Sequence, residues 1–450
     1  MPVSVIILAA GQGTRMNSDL PKVLHPLGAA PLLHHAMRVA QSLDPDQTIV
    51  VAGHGADLVS KAAKAFDPEV QIVLQTEQRG TGHAVQQAAP LLGGAAGDTL
   101  VLYGDTPFLR AGTLGRMMQA RARHAVVFLG FTAQDPARYG RMVTEGEELL
   151  RIVEFKDATV GERRLTLCNS GVVCAETPLL FDLVAQLDNA NAAGEFYLTD
   201  IVALARARGL SAGVVIADEA ETLGIDTRAQ LARAETLFQT AMRAEALENG
   251  VTLTAPDTVF FALDTHIGRD AAIAPNVVFG PGVTVESGAV IHAFCHLEGC
   301  HVSRGASVGP FARLRPGAEL AEDVHVGNFV EIKNAVLDEG VKVGHLTYLG
   351  DAHVGEFSNI GAGTVTCNYD GVMKHRTEIG ARAFIGSDTM LVAPVAIGAD
   401  AMTASGSVIT ADVPAQALAL ARARQVNKPG LAARLMERLR AIKAAKGQSG

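Results

Sequence analysis

The sequence predicts an α/β doubly wound, Rossmann-like domain followed by a parallel β-helix, and three observations carry this prediction. Over roughly the first 228 residues, short apolar strands alternate with helical patterns, which favours a parallel sheet. From about Ile267 to Ile409, an aliphatic residue recurs at every sixth position. A small residue often precedes this anchor by two positions, and a glycine often follows it. A six-residue period is typical of a β-helix, whereas a sandwich would need regular hairpin turns.

The composition limits the classes of function. The 450 residues suggest two or three domains, and 48% apolar residues can bury large cores. A net charge of −9 argues against nucleic-acid binding, so anionic substrates would need local clusters of Lys and Arg. The N-terminal apolar run suits neither a signal peptide nor a membrane span, and five cysteines do not suggest a disulfide framework. We expect a cytoplasmic protein that binds small molecules, with no nucleic-acid partner and no membrane span.

Two polar segments follow predicted strands at the sheet edge where ligands bind. Gly11–Arg15 follows the strand at 3–10, and Asp105 follows the strand Thr99–Tyr103. Glycines allow backbone N–H groups to approach phosphate oxygens, and Arg15 and Lys22 can neutralise them. Each segment alone is equally compatible with an ordinary turn. Together they suggest a site for phosphate and Mg²⁺.

The first domain resembles the sugar-phosphate nucleotidyltransferases, or pyrophosphorylases, over roughly residues 3–228. The resemblance rests on Leu8–Met16 and Pro21-Lys22, and extends through Gln75, Gly80-Thr81-Gly82, Tyr103-Gly104-Asp105, Tyr139-Gly140, Glu154 and Asn169. It implies that Arg15 and Lys22 are catalytic residues that handle the triphosphate of UTP, and that Asp105 and Asp226 bind Mg²⁺. Asp226 is a departure, because the family usually has Asn there. The implied UTP and UDP-N-acetylglucosamine site comprises Leu8, Ala9, Ala10, Gly11, Lys22, Gln75, Gly80, Thr81, Tyr103, Gly104, Asp105, Gly140, Glu154, Asn169 and Asp226.

A helical pattern fills residues 229–250 and stops at Asn249-Gly250. It fits a linker helix and, equally well, the last helix of the first domain. We predict domains at 1–228 and 251–428, joined by 229–250. The remaining stretch, 429–450, reads as a basic helix with leucines on one face. Packing at the end of the β-helix, or a loosely ordered tail, is favoured there over membrane attachment.

The register of the repeat separates core residues from residues that can do chemistry. Cys295 and Cys300 lie in a histidine-rich patch, but both occupy the small inward position, which favours core packing over metal binding. Arg315 and Lys333 each follow an anchor, one complete coil of eighteen residues apart. They should stack about 4.8 Å apart at the backbone. Two stacked cations fit either a solvated surface or a bound anion.

The next coils carry further polar residues outside the inward positions. His345 is a candidate general base because of the nearby cations, although a lone histidine is usually structural. Tyr348 and Asn359 each directly precede an anchor. The repeat is then interrupted at Cys367–Arg376, and a solenoid expels such extra residues as a loop, often on its binding face.

The second domain resembles the hexapeptide acyltransferases, and specifically the glucosamine-1-phosphate acetyltransferase domain. The matching stretches are Gly309–Gly317, Gly327–Lys333, Gly344–Asp351, Asn359–Gly363, Cys367–Gly371 and Gly386–Asp388. The resemblance implies a left-handed parallel β-helix, a homotrimer with shared acetyltransferase sites, and His345 as the catalytic base. It implies a glucosamine 1-phosphate site of Arg315, Lys333, Tyr348, Asn359 and Lys374. It also implies an acetyl-CoA site of Ala362, Asn368, Tyr369, Ser387, Ser405 and Arg422.

Together the two halves resemble the bacterial bifunctional N-acetylglucosamine-1-phosphate uridylyltransferases and glucosamine-1-phosphate acetyltransferases. This resemblance implies acetyl transfer from acetyl-CoA, then uridylyl transfer from UTP, giving UDP-N-acetylglucosamine for peptidoglycan and lipopolysaccharide precursors. One alternative is a monofunctional nucleotidyltransferase with a regulatory or oligomerising β-helix. Another is a scaffold that has lost activity.

Overall fold

The computed structural model describes residues 2–447, which form two compact units. Unit 1 extends to Glu245 and includes Phe261–Asp264, whereas unit 2 holds Ala246–Phe260 and the chain from Thr265 onward. The predicted domain boundaries at 228 and 250 stay a prediction, and the predicted tail includes 448–450, which lie outside the described residues. No helix within residues 2–447 is both long enough and apolar enough to cross a membrane.

Unit 1 is built on a nine-stranded sheet with helices on both faces. Its strands, together with a small two-stranded ribbon (β2 and β3), are β1 Val3–Ala9, β2 Pro26–Leu27, β3 Ala30–Pro31, β4 Gln47–Ala52, β5 Gln71–Leu74, β6 Asp98–Tyr103, β7 Val126–Thr132, β8 Arg141–Glu145, β9 Glu148–Val153, β10 Leu167–Glu176 and β11 Ala212–Ala217. Its helices are α1 Leu32–Gln41, α2 Ala56–Phe66, α3 Thr81–Gln86, α4 Ala89–Leu92, α5 Ala111–Ala120, α6 Thr177–Val184, α7 Ile201–Ala207 and α8 Arg228–Glu248.

The sheet order is β5-β4-β1-β6-β10-β7-β11-β9-β8, and β1 pairs in parallel with both β4 and β6. Every residue of β1 is buried, and alternate residues such as Ile6 and Ile7 enter the two cores on opposite faces. That is why the strand reads as a continuous apolar run. The sheet is mixed rather than purely parallel, because β10 runs antiparallel to β6 and β7, and β9 runs antiparallel to β11 and β8.

Helix α8 packs on unit 1 through its N-terminal half. Ala234 and Phe238 are buried against Leu27, Leu32 and Ile225. The N-terminal half of the helix is thus packed against the first unit.

Unit 2 is a parallel β-helix of 24 short strands, followed by one helix, α9 Leu431–Gly447. Its strands are β12 Thr252–Leu253, β13 His266–Ile267, β14 Ala272–Ile273, β15 Val278–Phe279, β16 Thr284–Val285, β17 Val290–Ile291, β18 His296–Leu297, β19 Cys300–Val302, β20 Ser307–Val308, β21 Arg313–Leu314, β22 Ala318–Leu320, β23 His325–Asn328, β24 Glu331–Leu337, β25 Lys342–His345, β26 Tyr348–Val354, β27 Asn359–Ile360, β28 Val365–Cys367, β29 Thr377–Ile379, β30 Phe384–Ile385, β31 Met390–Val392, β32 Val395–Ile397, β33 Met402–Thr403, β34 Val408–Ile409 and β35 Leu418–Ala419.

The anchors of the repeat form three stacked columns inside the β-helix. The first column is Ile267, Val285, Val302, Leu320, Leu337, Val354, Ile379 and Ile397. The second is Ile273, Ile291, Val308, Val326, Val343, Ile360, Ile385 and Thr403. The third is Phe279, Leu297, Leu314, Ile332 and Leu349, continued by Thr366, Leu391 and Ile409. All except Ile267 are buried, which confirms the predicted register.

The predicted cysteine positions also lie in the interior. Cys295 and Cys300 are 1% and 3% exposed, and burial raises the pKa of the Cys295 thiol to about 11 and that of Cys300 to about 12. A metal ligand is a thiolate, so these protonated, enclosed thiols are core residues. Within residues 2–447 no group of three or more His, Cys, Asp or Glu side chains is arranged to hold a metal ion.

Candidate active sites

The predicted phosphate site of unit 1 brings together four side chains from distant parts of the chain. Lys22 Nζ contacts Asp105 Oδ2 and lies 2.8 Å from Asp226 Oδ1. Arg15 Nη2 lies 2.9 Å from the same Asp226 oxygen. Asp105 sits at the end of β6, and its carbonyl oxygen accepts a hydrogen bond from the N–H of Ile225, which brings residue 226 alongside.

The glycine-rich turn sets the position of Lys22. Gly13 has φ +60°, and a Cβ at this position would lie 2.5 Å from Lys22 Cβ. Any other residue would therefore both strain the backbone and push the lysine aside. Burial by itself lowers the pKa of Lys22, but Asp105 and Asp226 together outweigh it, so the net shift is upward and Lys22 stays charged.

The two carboxylates fit a divalent cation. Both direct oxygens at one point, where they hold the Lys22 ammonium, and carboxylate oxygens are the ligands that Mg²⁺ prefers. Asp226, in place of the family's Asn, keeps an oxygen and adds a negative charge. That charge is already balanced by Arg15 and Lys22.

Beside this cluster lies a cavity of about 310 Å³ between the ends of β1 and β6. Most of the predicted nucleotide residues line it: Leu8, Ala9, Ala10, Gly11, Lys22, Gln75, Gly80, Thr81, Tyr103 and Asp105. Gly104 lies beneath it, and its N–H donates to the Leu8 carbonyl. Of these lining residues, Gln75 is buried, at 4% exposed.

The predicted sugar residues lie at the far side of Tyr103. A second cavity of about 470 Å³ is lined by Glu154, and Glu195 lines both cavities. Asn169 donates its N–H to the Gly140 carbonyl, and a Cβ at Gly140 would lie 3.3 Å from the Glu154 carboxylate. Burial raises the pKa of Glu154, and a hydrogen bond from Thr199 Oγ1, 3.2 Å away, partly opposes that rise.

In unit 2 the predicted cations converge. Lys333 and Arg315 follow paired anchors on neighbouring coils, and Lys374 from the loop at 368–376 joins them. Lys374 and then Arg315 lower the pKa of Lys333. Glu331 accepts from Arg315 at 2.8 Å, and so balances one of the three charges. Burial alone would raise the pKa of Asp351, but hydrogen bonds from Asn334 and Asn368, and then the charges of Lys374 and Lys333, outweigh it and lower that pKa, so this carboxylate also lies near the cations. Three cations gathered this closely suit the binding of an anion.

His345 stands on β25 with its ring held by the coil below. Asn328 pairs with His345 in the parallel ladder, and its Oδ1 lies 2.5 Å from His345 Nδ1. Tyr348 begins the next strand, on the same face as Glu331. Asn359 does not join Tyr348 within one chain: it pairs with Lys342 and Phe384 on the face that carries His345.

Three of the predicted coenzyme residues, Ala362, Ser387 and Ser405, form a column above His345. Asn328, His345, Ala362, Ser387 and Ser405 each lie two residues after an anchor of the second column, on successive coils. Arg422 caps this column, since its Nη1 donates to the Ser405 carbonyl at 2.8 Å. Asn368 and Tyr369 are on the projecting loop, where Asp351 accepts from the Asn368 amide.

The corner next to this column has different kinds of side chain below and above His345. One residue further along, the lower coils present Phe294, Phe311, Phe329 and Leu346, which are 46–62% exposed. The phenylalanine rings stack with centroids 4.8 and 5.2 Å apart. The upper coils place Gly363, Asp388 and Gly406 at the same corner. The corner therefore carries two glycines and an aspartate above His345, and an apolar surface below it.

Sequence reasoning missed some residues at both sites. Asn328 could have been found, because it lies two positions after anchor Val326, just as His345 lies two after Val343. Thr199 and Tyr197 had no signal in the sequence, since they reach Glu154 only through the folding of the segment before α7.

Comparisons with known proteins agree with both halves. Residues 5–193 match the family described as MobA-like NTP transferase domain, and residues 264–299 match the bacterial transferase hexapeptide. A bifunctional protein GlmU of Cereibacter sphaeroides (strain ATCC 17023) is 77% identical over 444 residues, which cover 99% of this chain and 98% of the relative. A bifunctional protein GlmU of Paracoccus denitrificans is 67% identical, with 98% of each chain covered.

Among solved structures, a UDP-glucose pyrophosphorylase complexed with UDP-glucose aligns with 54% of this chain and 100% of its own, at 17% identity and a TM-score of 0.44. That likeness is too distant to carry an argument. The fold class and the family follow instead from the relatives that align over nearly the whole chain. Together with the hexapeptide match, they confirm the predicted fold class, consistent with left-handed coiling, and they do not favour a monofunctional enzyme. The chain belongs to the GlmU family and is a bifunctional uridylyltransferase and acetyltransferase, its nucleotidyltransferase and hexapeptide acyltransferase units each carrying one activity.

Proposed function

We propose that unit 2 acetylates glucosamine 1-phosphate with acetyl-CoA, and that unit 1 then joins the N-acetylglucosamine 1-phosphate to UTP, releasing pyrophosphate. The observation that carries this assignment is the cluster of Arg315, Lys333 and Lys374 in the same unit as His345. A sugar phosphate is the substrate whose anion satisfies the three cations while its amine approaches an imidazole.

The acetyl transfer needs a free amine. His345 Nε2 takes a proton from the 2-amino group as the nitrogen attacks the thioester carbonyl, and the C–S bond breaks to release the coenzyme thiolate. Imidazole suits this task, because its ordinary pKa lies near neutrality. Asn328 Oδ1 can only accept, so its contact with Nδ1 favours the tautomer in which Nε2 has its lone pair free.

The coenzyme is proposed to lie along the column of Ala362, Ser387 and Ser405. The adjacent corner carries Gly363 and Gly406, whose lack of side chains favours the approach of a ligand, and Asn368 and Tyr369 would contact the coenzyme from the loop. Arg422 is the charged residue nearest its end and would meet a phosphate of the coenzyme.

The uridylyl transfer needs positioning and charge neutralisation rather than a base, because the attacking phosphate is already an anion. A sugar-phosphate oxygen attacks the α-phosphorus in line, and the bond to the pyrophosphate oxygen breaks. Arg15 and Lys22 would stabilise the charge that develops on the phosphates. Asp105 and Asp226 would hold Mg²⁺, which neutralises phosphate oxygens when bound. Glu154, Asn169 and Gly140 would orient the N-acetylated sugar.

We also propose a homotrimer through unit 2, with each acetyltransferase site completed by a neighbouring copy. Two observations support a second copy of this chain as the partner. The stacked phenylalanines leave a continuous apolar surface directly below His345. Asn359, which the family resemblance assigns to the sugar site, does not reach Tyr348 within one chain.

Two separate assays test the assignment. Release of CoA from acetyl-CoA and glucosamine 1-phosphate reports one site, and release of pyrophosphate from UTP and N-acetylglucosamine 1-phosphate reports the other. His345→Ala should abolish the first reaction and leave the second intact, whereas Asp105→Ala should do the reverse. If either substitution removed both activities in a folded protein, the two-site assignment would be wrong.

A further inference from the structure

The buried Gln75, which lines the nucleotide cavity, has an amide whose orientation is fixed. Its Nε2 donates to the Gly80 carbonyl at 3.1 Å and lies 3.1 Å from His83 Nδ1. A carbonyl oxygen can only accept, so the amide nitrogen must occupy this side. Both amide hydrogens are then directed at Gly80 and His83, and the Gln75 oxygen is turned away from them.

The remaining oxygen is the group that Gln75 can offer to a ligand. Within residues 2–447 no hydrogen bond to Gln75 Oε1 is formed, and Gln75 lines the cavity. Gln75 Oε1 is not among the enclosed side-chain atoms that lack a partner, so it is open to the cavity. An acceptor that a bound base would shield from water selects a base that brings a donor. Uracil carries a hydrogen on ring nitrogen N3, whereas the same atom of cytosine is an acceptor.

His83 is held in place by contacts with Gln87 and Phe196. Gln87 Nε2 donates to the His83 carbonyl at 2.9 Å. It also lies 3.2 Å from His83 Nε2, but that contact is not a hydrogen bond when Nδ1 accepts from Gln75, because Nε2 then carries the proton. The imidazole also meets the ring of Phe196 at a centroid distance of 6.3 Å. The histidine does not line the cavity, so it can act on a nucleotide only through Gln75.

We propose that His83 is a positioning residue for base selection: it accepts the second amide hydrogen of Gln75 and thereby keeps the Gln75 oxygen facing the base. The inference rests on the proposed use of UTP. Without the His83 acceptor, only the hydrogen bond to the Gly80 carbonyl holds the nitrogen on this side, so the amide would turn over more readily and present its N–H₂ to the base. That orientation matches the N3 acceptor of cytosine, so discrimination between UTP and CTP would weaken.

The experiment compares kcat/KM for UTP and for CTP, with N-acetylglucosamine 1-phosphate as the second substrate. His83→Ala should lower the UTP-to-CTP ratio by about tenfold or more, since one misplaced polar contact changes discrimination by at least roughly that factor. His83→Asn, which can offer an amide oxygen near the position of Nδ1, should keep the ratio near that of the unaltered enzyme. Gln86→Ala, an exposed change on the same helix, is the matched control and should leave the ratio unchanged.

The outcomes separate this inference from the proposed function. An unaltered enzyme that used CTP as well as UTP would contradict the proposed substrate itself. An unchanged ratio in His83→Ala, with acetyl transfer intact, would overturn the role of His83 alone. If His83→Ala had no activity with either nucleotide, His83→Asn would decide: an unchanged ratio supports the proposal, and a ratio lowered tenfold overturns it.

Discussion

Asn328 Oδ1 lies 2.5 Å from His345 Nδ1, across two neighbouring coils whose backbones pair at these same two residues. The backbone ladder therefore fixes how far the amide can move from the imidazole. The relationship matters because the two ring nitrogens of a neutral histidine have opposite roles, and only the unprotonated one can act as a base.

Asn328→Ala should reduce acetyl transfer without removing the base itself. We expect kcat to fall by at least about tenfold, because a well-positioned general base contributes roughly 10²–10⁴-fold and part of that depends on its tautomer. The measurement is CoA release at saturating substrate, beside His345→Ala, which should lose nearly all activity. Pyrophosphate release serves as the folding control. An unchanged kcat would mean that the tautomer is set without Asn328.

Lys333→Met should weaken the binding of glucosamine 1-phosphate. The ammonium is one of three cations, and hydrogen bonds to charged groups contribute about 1.5–3 kcal/mol, so KM should rise about tenfold or more. The measurement is KM for glucosamine 1-phosphate at constant acetyl-CoA. Arg269→Met removes a cation from the exposed surface of the first coils and should leave KM unchanged. Equal effects of the two substitutions would argue against a specific anion site.

Lys374→Met should change the pH dependence of the same KM. Lys374 and Arg315 lower the pKa of Lys333, so in the unaltered protein Lys333 loses its proton earlier as the pH rises. Phosphate binding should accordingly weaken at alkaline pH. Without Lys374 the pKa of Lys333 rises towards its ordinary value, and the alkaline loss should move to higher pH, although KM is larger throughout. A profile that did not move would show that Lys333 does not contact the phosphate.

The sequence predicts a site residue where a local repeat fixes its position, and fails where the site joins segments that are far apart along the chain. The stacking of Arg315 beneath Lys333 followed from the register, because each coil repeats the same three hexads. Asn359 shares with Tyr348 its place before an anchor, but the two anchors belong to different columns, so the residues lie on different faces. The meeting of Lys22 with Asp226 spans 204 residues, and no local pattern encodes it. It was predicted only through the resemblance to a family.

Asp226→Asn should alter the metal requirement of uridylyl transfer. The substitution removes one negative charge from the pair of carboxylates and breaks the ion pairs with Lys22 and Arg15. We expect the Mg²⁺ concentration for half-maximal activity to rise about three- to tenfold, since the charge of the ligands tunes affinity for a hard cation. The measurement is pyrophosphate release against Mg²⁺ concentration. Acetyl transfer should be unaffected, and an unchanged Mg²⁺ curve would show that the negative charge of Asp226 does not tune the affinity for the metal.

Thr199→Val should shift the acid limit of uridylyl transfer. Burial raises the pKa of Glu154, so its carboxylate becomes protonated as the pH falls through that raised value and loses the negative charge that we propose helps to orient the sugar. The Thr199 hydroxyl opposes the rise, so its removal should raise the pKa further and start the loss at higher pH. KM for N-acetylglucosamine 1-phosphate against pH is the measurement. Thr240→Val, an exposed change on α8, should reproduce the unaltered profile.

Phe311→Asp should separate the two activities by dissociating the protein. Phe311 stacks between Phe294 and Phe329 in the apolar surface below His345, and burying a carboxylate there would cost several kcal/mol. The variant should sediment with the mass of one 47.0 kDa chain rather than three, losing acetyl transfer while uridylyl transfer persists. Phe357→Asp is the matched control, because Phe357 is 56% exposed with φ 56° but lies on another corner of the β-helix. If both variants remained trimeric and active, the stacked phenylalanines would not be the surface that joins the copies.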